Sequence, residues 1–357
     1  MSQENYPMIG LMSGTSGDGL DIAYVNFRHH ERWDFELVRA KTCQFPTVLG
    51  EKLATAHLLS GQDLARLDVD FGCWMGEQVK TFCETHQLKP LAVASHGHTV
   101  FHQPKNRLSL QIGNGWALHQ ASGSQVIADF RMLDVQLGGQ GAPLVPIGDR
   151  LLFPEVDFCI NLGGISNISM EYQGKRIAFD CSPFNLLLNA EANKLGKAYD
   201  NGGEIARGGK FNSSLFEQLN RLAFYSATSA KSLGREDMER DFLPLIQRAN
   251  LSPADALSTL VEHFAFQISA AIRSYSHSPA PLVLITGGGA YNTYFVERLD
   301  HWLSSSWEKY EATTELIEFK EALIFAFLGV LKLRGEPNCL SSVTGASRDN
   351  CGGAIYG

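Results

Sequence analysis

Two stretches of this chain share one pattern: an apolar run, a short turn of Gly, Ser, Thr, Asn or Asp, and a second apolar run. They are MIGLMSGTSGDGLDIAYV, Met8 to Val25, and FCINLGGISNISMEY, Phe158 to Tyr172. Each encodes a β-hairpin with a polar turn. One such hairpin is ordinary, but a second with the same chemistry predicts a duplicated architecture. In the first turn Gly14, Gly17 and Gly19 permit positive φ and close backbone approach, while Thr15 and Ser16 add hydroxyl donors suited to phosphate oxygens. Asp18 and Asp21 are acids that can face a magnesium ion, directly or through water. In the second turn Asn161, Gly163, Gly164, Ser166 and Asn167 interrupt the two apolar runs.

A third glycine-rich segment, PLVLITGGGAYN, runs from Pro281 to Asn292. Its apolar run ends in Thr286, Gly287, Gly288 and Gly289, the place where nucleotides approach the backbone in open α/β sheets. It has neither the GxGxxG spacing of a dinucleotide site nor the GxxxxGK[ST] of a P-loop, so neither of those readings is supported. What remains is a nucleotide held between two similar halves.

The 357 residues are too many for one average core, and 44% hydrophobic content is enough for two, so two domains are expected. A net charge of −8 with no basic cluster argues against nucleic acid. The opening MSQENYPMIG lacks a basic region followed by an apolar one, and the longest apolar run, Ala322 to Leu331, is too short to cross a bilayer. Seven cysteines never form CxxC, which indicates neither a disulfide framework nor a zinc ribbon and fits a reducing cytoplasm.

Trp33 to Cys43 reads as a further strand. Glu51 to Leu88 has helical spacing broken at Ser60 and Gly61, and Leu91 to Ser95 reads as a short buried strand. That strand delivers SHGHTVFHQP, whose His96, His98 and His102 raise a metal alternative. No nearby cysteine completes a set, and hydrogen-bonding roles are preferred. Leu110 to Arg131 alternates strand, short helix and strand. Three glycines and two prolines between Asp134 and Pro146 mark a loop between domains that could act as a hinge. Ala254 to Ser274 and Glu318 to Arg334 have the length and composition of long helices.

Three charged residues stand out. Arg131 follows the apolar Val126 and Ile127 and can fork onto a ligand carboxylate, or else form a salt bridge with Asp129 or Asp134. Asp180 lies at a predicted strand end, ahead of a helix whose first residues include Pro183. It is equally a candidate general base and a helix-capping or turn aspartate. Glu321 shares a helical face with Phe325 and Leu328, as a first-turn charge or as a buried ligand contact.

Taken in order, GLMSGTSGDGLDIA, SHGHTVFHQP, DFRMLDVQLGGQGAPLVP, NLGGISNIS, FDCSPFN, YDNGG, KSLGRE, TGGGAYN and SVTGAS resemble the signatures of 1,6-anhydro-N-acetylmuramic acid kinases, from Ile9 to the C-terminus. That family belongs to the sugar kinase, Hsp70 and actin superfamily. The resemblance implies two duplicated ribonuclease H-like (actin-like ATPase) α/β domains with mixed five-stranded sheets and a cleft between them. Residues 1–145 would form the first domain and 146–337 the second, the return of 338–357 to the first being left open.

The same resemblance implies that Gly14, Thr15, Ser16, Gly17, Asp18, Gly19, Leu20 and Asp21 form the first phosphate loop, and Asn161 to Asn167 the second. Gly287 to Asn292 would hold the adenosine of ATP, with Mg²⁺ at Asp18 or Asp21. Asp180 matches the catalytic aspartate, and Arg131 and Glu321 are candidates for sugar binding. A homodimer is implied. The chain departs from the family pattern after Asp180, with Cys181, Ser182, Pro183, Phe184 and Asn185 where Thr-Gly-Pro-Gly-Asn is usual. It also has Asn189 for an aspartate and Gly17 for a leucine. The stiffer loop after Asp180 raises the expectation of a different approach to the sugar, or of another anhydro or amino sugar. A kinase for another metabolite and a non-catalytic Hsp70-like ATP-binding module are the alternatives. The second would normally carry a peptide-binding domain for which this length leaves no room.

Overall fold

A computed structural model describes residues 4–13, 19–226 and 231–357. The chain divides into two compact units, one of Met1–Phe153 with Phe319–Gly357 and the other of Pro154–Glu318.

In the first unit Asn5–Ser13, Leu20–His29 and Trp33–Cys43 form an antiparallel meander. Ala92–Ser95 adds parallel to Asn5–Ser13, and Val126–Ala128 parallel to Ala92–Ser95. In the second unit Phe158–Leu162, Ile165–Tyr172 and Lys175–Pro183 form the meander, and Leu282–Thr286 and Glu308–Lys309 add in parallel beyond Phe158–Leu162. Both sheets therefore run third, second, first, fourth, fifth strand with the same directions, the ribonuclease H-like arrangement twice over.

The first sheet departs from the five-stranded expectation. Among the described residues it has six strands, because Ala354–Tyr356 pairs antiparallel with Val126–Ala128. Without it that edge would present unpaired N–H and C=O groups. The division of the chain also differs from the expected domain limits. Pro146–Phe153 belongs to the first unit, and the later boundary falls inside the helix Thr314–Arg334 rather than after it. The Asp134–Pro146 segment, read as an interdomain loop, consequently lies within the first unit.

Local sequence accounts for the helices. Ser60, where helical spacing breaks, is the N-cap of Gly61–His86 and accepts from the Asp63 N–H. That helix buries Leu67, Phe71, Met75, Val79 and Phe82 along one face. Pro253–Tyr275 begins in the same way, with Ser252 accepting from the Asp255 N–H, and runs through the core of the second unit. No helix among the described residues is long and apolar enough to cross a membrane.

The part of Thr314–Arg334 that belongs to the first unit lies directly on its sheet. A Cβ at Gly10 would sit 1.8 Å from the Ala322 carbonyl oxygen and 2.8 Å from the Ala326 nitrogen, and one at Gly329 would meet the Ala94 Cβ at 2.8 Å. Helix and strand backbones touch only because neither glycine carries a side chain. Gly10→Ala should therefore destabilise the fold by about 3 kcal/mol or more, while Gly61→Ala, with nothing within 4 Å, should leave the urea midpoint unchanged or slightly raised. Equal midpoints for the two variants would mean that the helix does not rest on that strand.

Candidate functional site

In the second unit the pairing register builds a polar row. Asp180 stands opposite Asn167, Asn167 opposite Asn161, and Asn161 is level with Thr286 on the parallel neighbour. Residues directly opposite one another put their side chains on one face. The row lies at the carboxyl ends of Phe158–Leu162 and Leu282–Thr286, the end of an open α/β sheet at which ligands bind.

Asp180 lies inside the strand Lys175–Pro183 rather than at its end, and a bulge separates it from Ser182. Its backbone N–H donates to the Lys231 carbonyl at 2.9 Å, and its Oδ2 accepts from the Leu233 N–H at 2.8 Å. The next helix, Asn185–Asn193, has no side-chain cap, so Asp180 does not cap it, and Pro183 ends the strand instead of starting the helix. Burial pushes the Asp180 carboxyl up to about 6, with the Leu233 hydrogen bond acting in the opposite sense. A carboxylate poised there can take a proton near neutral pH.

The residues that depart from the family pattern point elsewhere. Cys181, Ser182 and Phe184 are all buried, as is Pro183, which the pattern shares. Phe184 packs against Phe264 and Phe295, and a Cβ on Gly289 would meet its ring at 2.4 Å. Ser182 bonds Ser166 at 2.9 Å. These side chains face inward and pack in the core of the second unit rather than lining a loop surface.

The second hairpin turn and the third glycine segment meet. The Gly163 and Gly164 carbonyls accept from the Asn185 and Phe184 N–H groups, and Asn185 Nδ2 donates to the Leu162 carbonyl at 3.1 Å. Gly287 has φ +82, and a Cβ there would lie 2.5 Å from Asn161 Oδ1. Gly288 begins a short 3₁₀ turn through Tyr291. Asn292 is buried, and its Oδ1 accepts from the Phe295 N–H at 2.9 Å, capping Thr293–Leu303. Sequence reasoning missed Asp200, whose two oxygens accept from Ile205 and Ala206 N–H groups and cap Glu204–Gly208. Its signal was a lone acid before two glycines in YDNGG.

In the first unit Gly14, Thr15, Ser16, Gly17 and Asp18 lie outside the described residues. Gly19 fits where a Cβ would press to 2.6 Å on the Cys43 carbonyl, and Leu20 is buried opposite Ser13. Asp21 stands opposite Met12 and Thr42, and Thr42 Oγ1 donates to its Oδ1 at 2.6 Å. Glu321 is half-buried and well beyond the first turn of Thr314–Arg334, which removes the first-turn reading. Burial raises its carboxyl above the ordinary range; Lys320 and Arg131 oppose that shift, and Asp21 and Asp149 add to it. Arg131 and Asp21 therefore each act on Glu321 within this unit.

Arg131 forms neither expected salt bridge. It donates to His96 Nε2 from Nε at 3.1 Å and from one Nη at 2.8 Å, and to the Gly141 carbonyl from the other Nη at 2.7 Å. Burial lowers it to about 10, which leaves it cationic at neutral pH. Asp134 is fully buried and accepts from Gly141 N–H, Thr344 Oγ1, Asn350 Nδ2 and Cys339 Sγ. It ties the glycine-rich segment to the C-terminal region, so the expected hinge is pinned at that point. The three histidines take separate partners: His96 bonds Arg131, His98 bonds Ser13, and His102 bonds Ser109.

The model of the anhydro-N-acetylmuramic acid kinase family matches residues 6–357. The chain belongs to that family. It is 35% identical to the anhydro-N-acetylmuramic acid kinase of Saccharophagus degradans, over 98% of each chain. It is 33% identical to that of Pasteurella multocida, over 100% of this chain and 98% of the relative. For the Pseudomonas syringae pv. syringae kinase the identity is 33%, over 98% of each chain.

In this family member the raised pKa of Asp180 has a consequence for stability. An unfolded aspartate ionises near its ordinary value, about 3.9. Folding therefore opposes ionisation, and the stability present below that value is lost as pH rises through about 6. Asp180→Asn, which keeps an acceptor for Leu233, should melt higher than wild type at pH 7.5 by the equivalent of about 1–3 kcal/mol. The difference should close near pH 4. A variant that melts lower by the same margin at both pH values would show that the charge is stabilised, not desolvated.

Proposed function

We propose that this protein is an ATP-dependent kinase that opens 1,6-anhydro-N-acetylmuramic acid with water and phosphorylates O6, giving N-acetylmuramic acid 6-phosphate for peptidoglycan recycling. One observation carries the reading in a chain of this family: a desolvated carboxylate, Asp180, in register with Asn161 and Asn167 at the ligand-binding end of the sheet.

Asp180 accepts a proton from a water molecule as its oxygen bonds to C1 of the sugar. The C1–O6 bond breaks, and the electron pair left on O6 attacks the γ-phosphorus of ATP, with ADP leaving. The bridged acetal thus supplies the acceptor oxygen in the same event that opens the ring. The protein's work in such a transfer is positioning and charge neutralisation. Gly163, Gly164 and Asn167 of the second turn, with Gly14 to Asp21 of the first, are assigned to the phosphates. Gly287, Gly288 and Gly289 let the chain approach the adenosine. There the side chain of Asn292 acts as a helix cap, so its contribution is to hold that segment in place.

Arg131 is assigned to the lactyl carboxylate and Glu321 to sugar hydroxyls. Asp21, whose carboxylate acts on Glu321 across this part of the unit, offers the hard oxygen donor that fits a magnesium ion. Asp21, with Asp18, would hold it directly or through water, and when bound it supplies neutralisation of phosphate charge.

Incubation with ATP, Mg²⁺ and the anhydro sugar in ¹⁸O-water should place label at C1 of a 6-phosphorylated product. Label absent from C1 would refute the hydrolytic opening, and absence of any phosphorylated sugar would refute the substrate. Asp180→Asn should lower kcat by about 10³-fold or more with ATP affinity retained. In wild type, kcat/KM should fall tenfold per pH unit below about 6, as the base becomes protonated. A profile flat down to pH 5 would remove Asp180 from that role.

A further inference from the structure

Arg131 is held in an uncommon manner for a half-buried cation. Among the described residues it takes part in no ion pair, and its bonds go to two neutral acceptors, a histidine ring nitrogen and a backbone carbonyl. The geometry of His96 makes that acceptor permanent. The strand Ala92–Ser95 pairs Ser95 with Leu11, and the His96 N–H continues the ladder by donating to the Leu11 carbonyl at 3.0 Å. Gly97, at φ +73, then turns the chain off the sheet. The imidazole is buried, with the Phe325 ring edge-on at a centroid distance of 4.8 Å. Its Nδ1 lies 2.9 Å from the Gly97 carbonyl, which can only accept, so Nδ1 carries the proton and Nε2 presents a lone pair. Two N–H groups of the guanidinium point at that lone pair.

A carboxylate in the place of His96 would orient the guanidinium equally well but would neutralise it. A neutral ring orients it and leaves the charge for an anion from outside. Glu321 reaches Arg131 through its field and not through an ion pair, so it tempers that charge without occupying the fork.

We propose that His96 is the positioning residue that holds Arg131 ready for the carboxylate of the substrate, and that its neutrality sets the preference for an acidic sugar over a neutral one. The proposal rests on the kinase reading above and adds to it the origin of specificity.

Three variants test it: His96→Gln, whose Oε1 falls where Nε2 stands; His96→Leu, which has no acceptor; and His96→Glu, which supplies a charged one. Each is assayed with 1,6-anhydro-N-acetylmuramic acid, and with 1,6-anhydro-N-acetylglucosamine, which lacks the lactyl carboxylate, as a competing ligand. His96→Leu should raise KM for the acidic sugar roughly 10- to 100-fold with kcat within a few-fold, and leave the inhibition constant of the neutral sugar unchanged. His96→Gln should recover most of the loss, and His96→Glu should be no better than His96→Leu. Equal weakening of both sugars by His96→Leu, or a His96→Glu enzyme as good as His96→Gln, would overturn the proposal. Should His96→Leu fail to fold, as judged by thermal melting, the comparison of Gln with Glu decides it. Wild-type protein without turnover of the acidic sugar would instead overturn the kinase reading, and the proposal with it.

Discussion

The contact between the Gly10 backbone and the helix Thr314–Arg334 fixes the chemistry of the first unit. Because Ala322 presses on Gly10, Glu321 and Phe325 emerge from the helix at set heights and angles. Phe325 then meets the His96 ring, while the strand that carries Gly10 also offers the Leu11 carbonyl to the His96 N–H. Slipping the helix by one residue would turn each side chain by about 100°, taking Glu321 from its charged neighbours and Phe325 from the imidazole. Two missing side chains, at Gly10 and Gly329, thus decide where a carboxylate and a cation sit.

Hydrogen-bond satisfaction separates structural acids from chemical ones in this molecule. Asp134 is fully buried, yet four donors surround its carboxylate and satisfy it. Asp180 receives one backbone N–H on its carboxylate, and desolvation prevails. Arg131 follows the same logic with the sign reversed, since neutral acceptors orient it and burial lowers it. A group left short of compensation by its own fold is the group available to a ligand.

Those distinctions mark the limit of what the residue pattern alone could reveal. The duplicated hairpins, the long helices and the break at Ser60 were legible because they follow from local periodicity. The sixth strand was not, since Ala354–Tyr356 is three residues long with a half-exposed centre at Ile355, and its pairing partner lies far away in the chain. The unit boundary was hidden because Thr314–Arg334 is one unbroken helix, with no change of composition at Glu318. Arg131 was recognisable as a cation at a strand end, but its partners were not. His96 is remote in sequence, and its acceptor role depends on a tautomer set by Gly97.

The stretch after Asp180 shows how a motif departure can mislead when read as surface chemistry. Replacing a glycine by Phe184 suggests a stiffer loop over a ligand, but the ring turns inward, where Phe264, Phe295 and the bare face of Gly289 accommodate it. The Phe184 N–H reaches the Gly164 carbonyl, so the backbone path that links the turn to the strand of Asp180 is kept. Core packing at this position and the polar row are separate properties of neighbouring residues. The apolar side chains at Cys181 and Phe184 belong to the core of the second unit.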